Sequence, residues 1–187
     1  EEYWLQAFQG EIPVLNMPLD YPRPVIQSFE GDFFSFEAGS ELTNKLNKLA
    51  RDNGATLYMT LLAAYNILLS KHTGQEDIIV GSPIAGRPHS DLQDILGMFV
   101  NTLAMRNYPK GDSTFVEFLN EVRENALRAY DNQDYQFEEL VEKLNLKRDM
   151  SRNPLFDTMF TMQNASKVEF AVPGISFRPF NNGLEYR

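Results

Sequence analysis

The chain has 187 residues, no cysteine and a formal net charge of -9 at pH 7. With 43% hydrophobic and 23% charged residues it has the composition of a folded globular protein, which excludes disorder and collagen-like repeats. The acidic balance removes the attraction to phosphate on which binding to nucleic acid and to anionic membranes depends. The missing cysteines exclude disulfides and thiolate chemistry, and they fit a reducing cytoplasm. The length predicts one domain or most of one.

The first residues predict a helix followed by a linker. The spacing of Trp4 and Phe8 predicts a helix, and the first residues do not have the pattern of a secretory signal. The sequence contains no apolar run of about 18 residues that could span a membrane. Since the sequence lacks an initiator Met, we expect a segment of a longer polypeptide. Three prolines between Asn16 and Pro24 bar a helix and predict a semi-rigid linker.

The next segment predicts one strand and two helices. Aromatic residues alternate over Phe29–Glu37, which indicates a strand. Ser40 is the expected N-cap of an amphipathic surface helix that stops at Asn53-Gly54. Thr56 is the expected N-cap of a second helix, and this helix must be covered on most faces because it is apolar on nearly every side.

Strands and helices alternate through the rest of the chain. Strands are predicted over Asp77–Ser82 and Met98–Arg106. The capping-box pair Thr114 and Glu117 predicts the start of a long helix, and a shorter helix is expected over Phe137–Leu144. Further strands are expected over 155–162 and 168–180, so the fold class is α/β with a largely buried sheet.

No motif in the chain predicts a catalytic or metal centre. The two histidines, His72 and His89, are isolated, and a helix C-terminus and a surface loop account for them better than catalysis does. Without cysteines or a carboxylate cluster nearby, they make a zinc site improbable, so no metal is expected. Gly-x-Ser-x-Gly elbows, P-loops and GxGxxG turns are absent.

Three polar segments stand out against this background. Asn101 shares a strand face with apolar neighbours, so it either ties the strand to nearby backbone or faces a polar cavity, and the sequence favours neither. Asp134 is the expected cap of the helix that begins near Phe137. Arg148 and Arg152 flank a polar loop, where guanidinium groups serve as structural clamps more often than as catalysts.

In order and spacing these segments resemble three motifs of condensation domains from nonribosomal peptide synthetases. Residues 97–102 read GMFVNT, similar to the family's GxFVNT. Residues 132–138 read NQDYQFE and resemble HQDxPFE, with Asn132 and Gln136 in place of the usual His and Pro. Residues 148–155 read RDMSRNPL and resemble RDxSRNPL. The resemblance covers nearly the whole chain.

The family's HHxxxDG motif, whose second His is taken to assist amide formation, is absent from this sequence. The resemblance therefore implies a C-terminal lobe, incomplete at its C-terminal end, with residues 1–28 as the inter-lobe region and 29–187 as the lobe. The implied fold is a chloramphenicol-acetyltransferase-like sandwich of a mixed sheet with helices packed on it.

The resemblance also implies a function and its partners. It points to amide formation between aminoacyl or peptidyl thioesters on carrier proteins, with no cofactor bound directly and phosphopantetheine arms as substrate carriers. The implied partners are the N-terminal lobe, peptidyl carrier proteins and adenylation domains. A non-catalytic module that recruits carrier or tailoring proteins is the alternative. The residues expected to support the channel or the lobe interface, none of them catalytic, are Gly97, Phe99, Asn101, Thr102, Gln133, Asp134, Arg148, Arg152 and Asn153.

Overall fold

A computed structural model describes residues 1–146, 149–163 and 175 of the chain. The helices and strands of this part do not alternate as the sequence predicts: three helices precede two successive strands, and two helices follow them. The elements in chain order are α1 (Glu2–Ala7), α2 (Ser40–Asp52), α3 (Leu57–Thr73), β1 (Ile78–Ile84), β2 (Asn101–Asn107), α4 (Phe115–Asp131) and α5 (Phe137–Lys143). None of the described helices has the length and hydropathy needed to cross a membrane.

The sheet is built on an antiparallel pair. β1 and β2 pair in register from Ile78 opposite Asn107 to Ile84 opposite Asn101. Residues 158–160 run beside β1 in the parallel sense, where the Gly81 N–H donates to the Thr158 carbonyl at 3.0 Å and the Phe160 N–H donates to the Gly81 carbonyl at 2.8 Å. The strand predicted over 155–162 is thus reduced to a short bridge, and the strand predicted over 168–180 lies outside the described residues.

One hydrophobic core lies between the sheet and the helices. Helices α3 and α4 pack against each other, and each of them also contacts the sheet. Burial of apolar surface from both layers is the main stabilising term for such an arrangement. The largest fully buried apolar side chains are Leu62, Ile78, Val80, Leu103, Leu119 and Val122.

The N-terminal segment belongs to the same core. Trp4, Phe8 and Leu15 are buried among the core side chains. The Trp4 indole N–H also donates to the carbonyl of Asn132, 2.9 Å away, which fastens α1 to the end of α4. The inter-lobe boundary at residue 28 remains a prediction.

Two predictions in the first third of the chain are wrong. Residues 29–37 form no strand, because no described segment pairs with them, and Phe29 and Phe34 are 93% and 88% exposed. Helix α2 is capped by Gly39 rather than Ser40, since the extended residue that precedes the helix is Gly39. α2 is otherwise the largely exposed helix that the sequence predicts.

The cap predictions for the two long helices are confirmed. The Thr56 hydroxyl accepts from the backbone N–H of Met59 at 3.2 Å at the start of α3. The Thr114 hydroxyl accepts from the Glu117 N–H at 3.3 Å, and the Glu117 carboxylate accepts from the Thr114 N–H at 2.8 Å. These bonds satisfy N–H groups that a helix start leaves without intrahelical partners.

Replacing Thr114 by alanine is expected to lower the free energy of unfolding by about 1 kcal/mol, because α4 loses this reciprocal cap. Urea denaturation measures the change. Ser113→Ala is the matched control one residue earlier, and its unfolding free energy should stay within about 0.5 kcal/mol of wild type. Equal losses in the two variants would show that the capping box contributes nothing specific.

Candidate functional site

The amide of Asn101 joins two of the three motif segments. Its side-chain nitrogen donates to the carbonyls of Gln133 and Tyr135, at 2.9 and 3.0 Å. Its side-chain oxygen accepts from the backbone N–H groups of Thr102 and Phe137, at 2.8 and 3.2 Å. Asn101 is only 6% exposed, and both its donors and both its acceptor positions are used. Of the two alternatives that the sequence left open, the structure therefore shows the tie to neighbouring backbone.

This position of Asn101 also explains how α5 begins. The N-cap of α5 is Gln136, whose side chain makes no capping hydrogen bond. The oxygen of Asn101 takes over that role for the first helical N–H, at Phe137. Asp134, the predicted cap, is exposed and stands three residues before the helix, so the prediction was wrong. The side chain of Asn101, in β2, therefore caps α5, the role that the sequence analysis assigned to Asp134.

The loop between β1 and β2 is folded around Phe99. The guanidinium of Arg87 lies 4.2 Å from the centre of the Phe99 ring and donates to the carbonyls of Leu92 and Gly97, the latter at 3.4 Å. Gly86 adopts a positive φ of 62°, and a Cβ placed there would lie 1.7 Å from the Phe99 carbonyl oxygen. Sequence reasoning had not selected Gly86 or Arg87, although glycine is the residue type that permits a positive φ and a close backbone approach.

Gly86→Ala is expected to destabilise the chain by about 2 kcal/mol or more, because alanine is strained at this φ and its Cβ would overlap a backbone oxygen. Thermal and urea unfolding measure the loss. Gly31→Ala is the control, since a Cβ at Gly31 would meet no atom within 4 Å. A Gly86→Ala protein as stable as the Gly31→Ala protein would contradict the close approach at Phe99.

Arg152 clamps the third motif segment, as the sequence favoured. One of its nitrogens donates to the Leu15 carbonyl at 3.1 Å and to the Asp157 carboxylate at 2.6 Å. Arg23, from the proline-rich segment, donates to the Ser151 carbonyl at 3.3 Å, so two cations hold this loop to residues 15–23. Hydrogen bonds from the hydroxyl and the backbone N–H of Ser151 lower the pKa of Asp149 below its ordinary value.

The remaining predicted residues lie in different surroundings. Gln133 is half-buried, and its carbonyl is one of the acceptors of Asn101. Thr102 is half-buried in β2, whereas Gly97 and Asn153 are exposed. Arg148 lies outside the described residues. Their proposed support of a channel or a lobe interface stays a prediction.

A buried arginine that the sequence analysis missed joins the N-terminal segment to the sheet. Arg106 forms two hydrogen bonds with the Asp77 carboxylate, at 3.0 and 2.7 Å. Its other donors reach the carbonyls of Ala7, Gln9 and Glu11, at 3.3, 3.3 and 2.8 Å. The bonds to Asp77 raise the pKa of Arg106. They are made by the Nε and Nη2 groups of the guanidinium, one to each carboxylate oxygen. Opposite charges at the facing ends of two antiparallel strands were the available signal.

Large apolar side chains are exposed in two segments, 25–36 and 95–100. Isolated exposed hydrophobic residues are ordinary, but runs of them mark surfaces that another chain or domain covers. The side chains in question are Val25, Ile26, Phe29, Phe33, Phe34, Phe36, Ile95, Leu96, Met98 and Val100. The two segments therefore form an exposed apolar and aromatic surface within the described residues.

The polar side chains at the three motif segments hold backbone in place by hydrogen bonds. They include the Asn101 amide, the guanidinium groups of Arg87 and Arg152, and the carboxylates of Asp149 and Asp157, which accept hydrogen bonds from Ser151 and Arg152 respectively. They position backbone segments and can hold a ligand by hydrogen bonds. The Asn101 amide supplies neither a general base nor a nucleophile.

Comparison with known proteins gives a consistent picture. A family described as "Condensation domain" matches residues 1–182. Bacitracin synthase 3 of Bacillus licheniformis is 61% identical over 98% of this chain, and tyrocidine synthase 3 of Brevibacillus parabrevis is 59% identical over 96%. The chain spans about 3% of the length of each of these two relatives.

Solved structures with the same fold are also synthetase domains. A four-domain nonribosomal peptide synthetase bound to AMP and glycine superposes with a TM-score of 0.85 at 31% identity, covering 89% of this chain and 13% of that one. The first condensation domain of the calcium-dependent antibiotic synthetase, with a substrate analogue, gives a TM-score of 0.61 at 24% identity over 76% of this chain and 30% of that one. The latter likeness shows the chloramphenicol-acetyltransferase-like fold.

Proposed function

The chain belongs to the condensation-domain family of nonribosomal peptide synthetases, and we propose that it serves a domain that joins carrier-bound aminoacyl or peptidyl groups by an amide bond. In that reaction the acceptor amine attacks the carbonyl carbon of the donor thioester. The new C–N bond forms, the C–S bond breaks, and the proton that the amine loses passes to the departing thiolate.

The observation that carries this proposal is the junction at Asn101. A single amide holds the segments that resemble GxFVNT and HQDxPFE together through three hydrogen bonds to backbone. In this proposal the two motif segments support the channel structurally and do not take part in the chemistry. The Asn101 amide itself accepts no proton, so we propose that the base that assists amide formation belongs to the N-terminal lobe.

The exposed apolar segments supply a partner surface for this function. We propose that residues 25–36 and 95–100 lie against the N-terminal lobe, which would carry the HHxxxDG histidine. Carrier proteins would deliver phosphopantetheine thioesters to the channel between the lobes, after adenylation domains of the same assembly line have activated the amino acids.

A condensation assay with two loaded carrier proteins tests the proposal. The chain alone is compared with the same chain joined to its native upstream sequence, and product is detected by mass spectrometry. Dipeptidyl thioester from the longer protein only is the expected result. Carrier binding by both proteins with no product from either would favour the alternative, a module that recruits carrier or tailoring proteins. Product from the chain alone would contradict a base supplied from outside.

A further inference from the structure

A cleft lies where α1 and α4 meet β2, and no residue of the Asn101 junction lines it. Its volume is about 280 Å³, at the lower end of the range for small-ligand sites. Three successive residues of β2 contribute to its wall: Ala104, Met105 and Arg106. Because successive side chains of a strand point to opposite faces, a cleft that touches all three lies against the edge of the strand.

That edge of β2 carries backbone groups without partners. Gly81 stands opposite Ala104 in the register, but its N–H and carbonyl bond Thr158 and Phe160 on the other side of β1. Since opposite residues of an antiparallel pair exchange either both hydrogen bonds or none, Ala104 turns its N–H and carbonyl away from β1, towards the cleft. Within the described residues neither group has a hydrogen-bond partner, although Ala104 is only 2% exposed. Buried backbone groups in that state are satisfied best by a ligand or a water molecule.

A cation without a counter-ion stands beside this edge. Arg128, exposed on α4, lines the cleft, and among the residues that the structure describes no carboxylate forms a salt bridge with it. Its Nη2 donates to the Asn125 Oδ1 at 2.6 Å, and the Asn125 amide donates in turn to the carbonyl of Arg106 at 3.4 Å. The charge of Arg106 itself is already paired with Asp77. The cleft thus presents one unneutralised positive charge next to an open strand edge.

The rest of the lining is uncharged. It consists of Tyr3, Trp4, Gln6, Ala7, Tyr108 and Ala129. Burial raises the pKa of Tyr3 and of Tyr108, so both hydroxyls remain protonated at neutral pH. With no acid among the described residues that line the cleft, an anionic group meets no like charge there and gains charge-assisted hydrogen bonds.

We propose that this cleft captures the carboxylate end of a peptide from a partner chain. Arg128 pairs with the terminal carboxylate, and the backbone of the preceding residue bonds the N–H and carbonyl of Ala104 as an added strand would. The small volume and the alanine side chains in the wall favour terminal residues with small side chains. The site uses none of the motif residues, so its existence does not depend on the proposed condensation activity.

Tryptophan fluorescence provides a direct probe, since Trp4 is the single tryptophan of the chain and lines the cleft. The chain is titrated with acetyl-Ala-Ala, which ends in a carboxylate, with the C-terminal amide of the same peptide, and with acetate. A saturable change in emission is expected with the peptide acid. The amide should bind at least about tenfold more weakly, because it loses the charge-assisted hydrogen bonds. Acetate should also bind at least about tenfold more weakly, because it cannot pair with the strand edge.

Backbone NMR tests the pairing with the strand edge. The amide proton of Ala104 is expected to move downfield with the peptide acid, since it gains an acceptor. The amide proton of Met105, which points towards β1, should stay near its position in the free chain. Acetate should leave both protons unmoved.

Replacement of the cation assigns the carboxylate pocket. Arg128→Gln should weaken binding of the peptide acid about tenfold and reduce the difference between acid and amide to about twofold or less. Arg128→Lys keeps the charge without the planar fork and should lie between the wild type and Arg128→Gln. Arg51→Gln is the matched control, because Arg51 is an exposed helical arginine outside the cleft, and its affinity should stay within about twofold of wild type.

Peptide capture is wrong if the emission of Trp4 does not change, if acid and amide bind equally, or if Arg128→Gln and Arg51→Gln have equal effects. Acetate that binds as tightly as the peptide acid, or an unmoved Ala104 amide proton, would overturn it as well and leave a simple anion site. Should Arg128→Gln fail to fold, the three probes and the Ala104 signal still decide in the wild-type chain. No step of these titrations involves condensation, so failure of this site and failure of the proposed function are separate outcomes.

Discussion

Asn101→Leu is expected to lower the free energy of unfolding by about 3 kcal/mol. The substitution leaves the carbonyls of Gln133 and Tyr135 and the N–H of Phe137 without their partner, and each unsatisfied buried group costs roughly 1 to 3 kcal/mol, partly relieved where water reaches it. Urea denaturation measures the loss. In the complete condensation domain, the rate per folded molecule should fall less than about tenfold, because the amide braces backbone.

Thr102→Val is the matched control for that substitution. Thr102 is the next residue of β2 and is half-buried, and its side chain makes no hydrogen bond within the described residues. Its unfolding free energy should stay within about 0.5 kcal/mol of wild type. A fall of about a hundredfold in the condensation rate of a stably folded Asn101→Leu domain would contradict bracing and place the amide in the channel.

Arg106→Met is expected to cost about 2 kcal/mol, less than the loss for a fully buried ion pair because the Asp77 side chain is 32% exposed. The side chain of Arg106 is only 7% exposed, and its replacement leaves Asp77 and the carbonyls of residues 7, 9 and 11 without donors. The N-terminal segment should detach from the sheet first, which quenching of Trp4 fluorescence would report before global unfolding.

An exposed ion pair is the control for Arg106. Lys45 and Glu41 form an i, i+4 pair on α2 with side chains that are 71% and 83% exposed, so Lys45→Met should cost less than about 1 kcal/mol. A double-mutant cycle with Asp77→Asn should show a coupling energy of about 1 kcal/mol or more between Arg106 and Asp77. Additive losses would contradict a direct interaction between Arg106 and Asp77.

The elements that the sequence predicts well are those that local chemistry specifies. The Thr114–Glu117 pair and the apolar spacing after it mark α4 because both signals lie within one or two turns of the helix. Gly74, in the left-handed conformation, ends α3 for the same reason. The strand predicted at 29–37 failed because an alternating pattern becomes a strand only when another segment pairs with it.

The site was predictable in its residues but not in its connections. The resemblance to family motifs selected Asn101 and Gln133, yet nothing local indicates that the amide of one bonds the carbonyl of the other, 32 residues away. The same holds for Arg106, whose partners at Ala7 and Asp77 are 99 and 29 residues distant along the chain. Such contacts depend on strand register and on how the N-terminal segment packs, which single-sequence patterns do not carry.

Amide hydrogen exchange at the start of α5 tests most directly whether the two motif segments form one hydrogen-bonded unit. The first N–H groups of a helix have no intrahelical acceptor and normally exchange fast. Because the Phe137 N–H donates to Asn101 across the junction, it should be protected, while the exposed Glu138 beside it should exchange freely. Protection of Phe137 that disappears in Asn101→Leu is the expected result. Equally fast exchange at Phe137 and Glu138 in the wild-type chain would contradict the junction and, with it, the proposed role of the motifs as a brace.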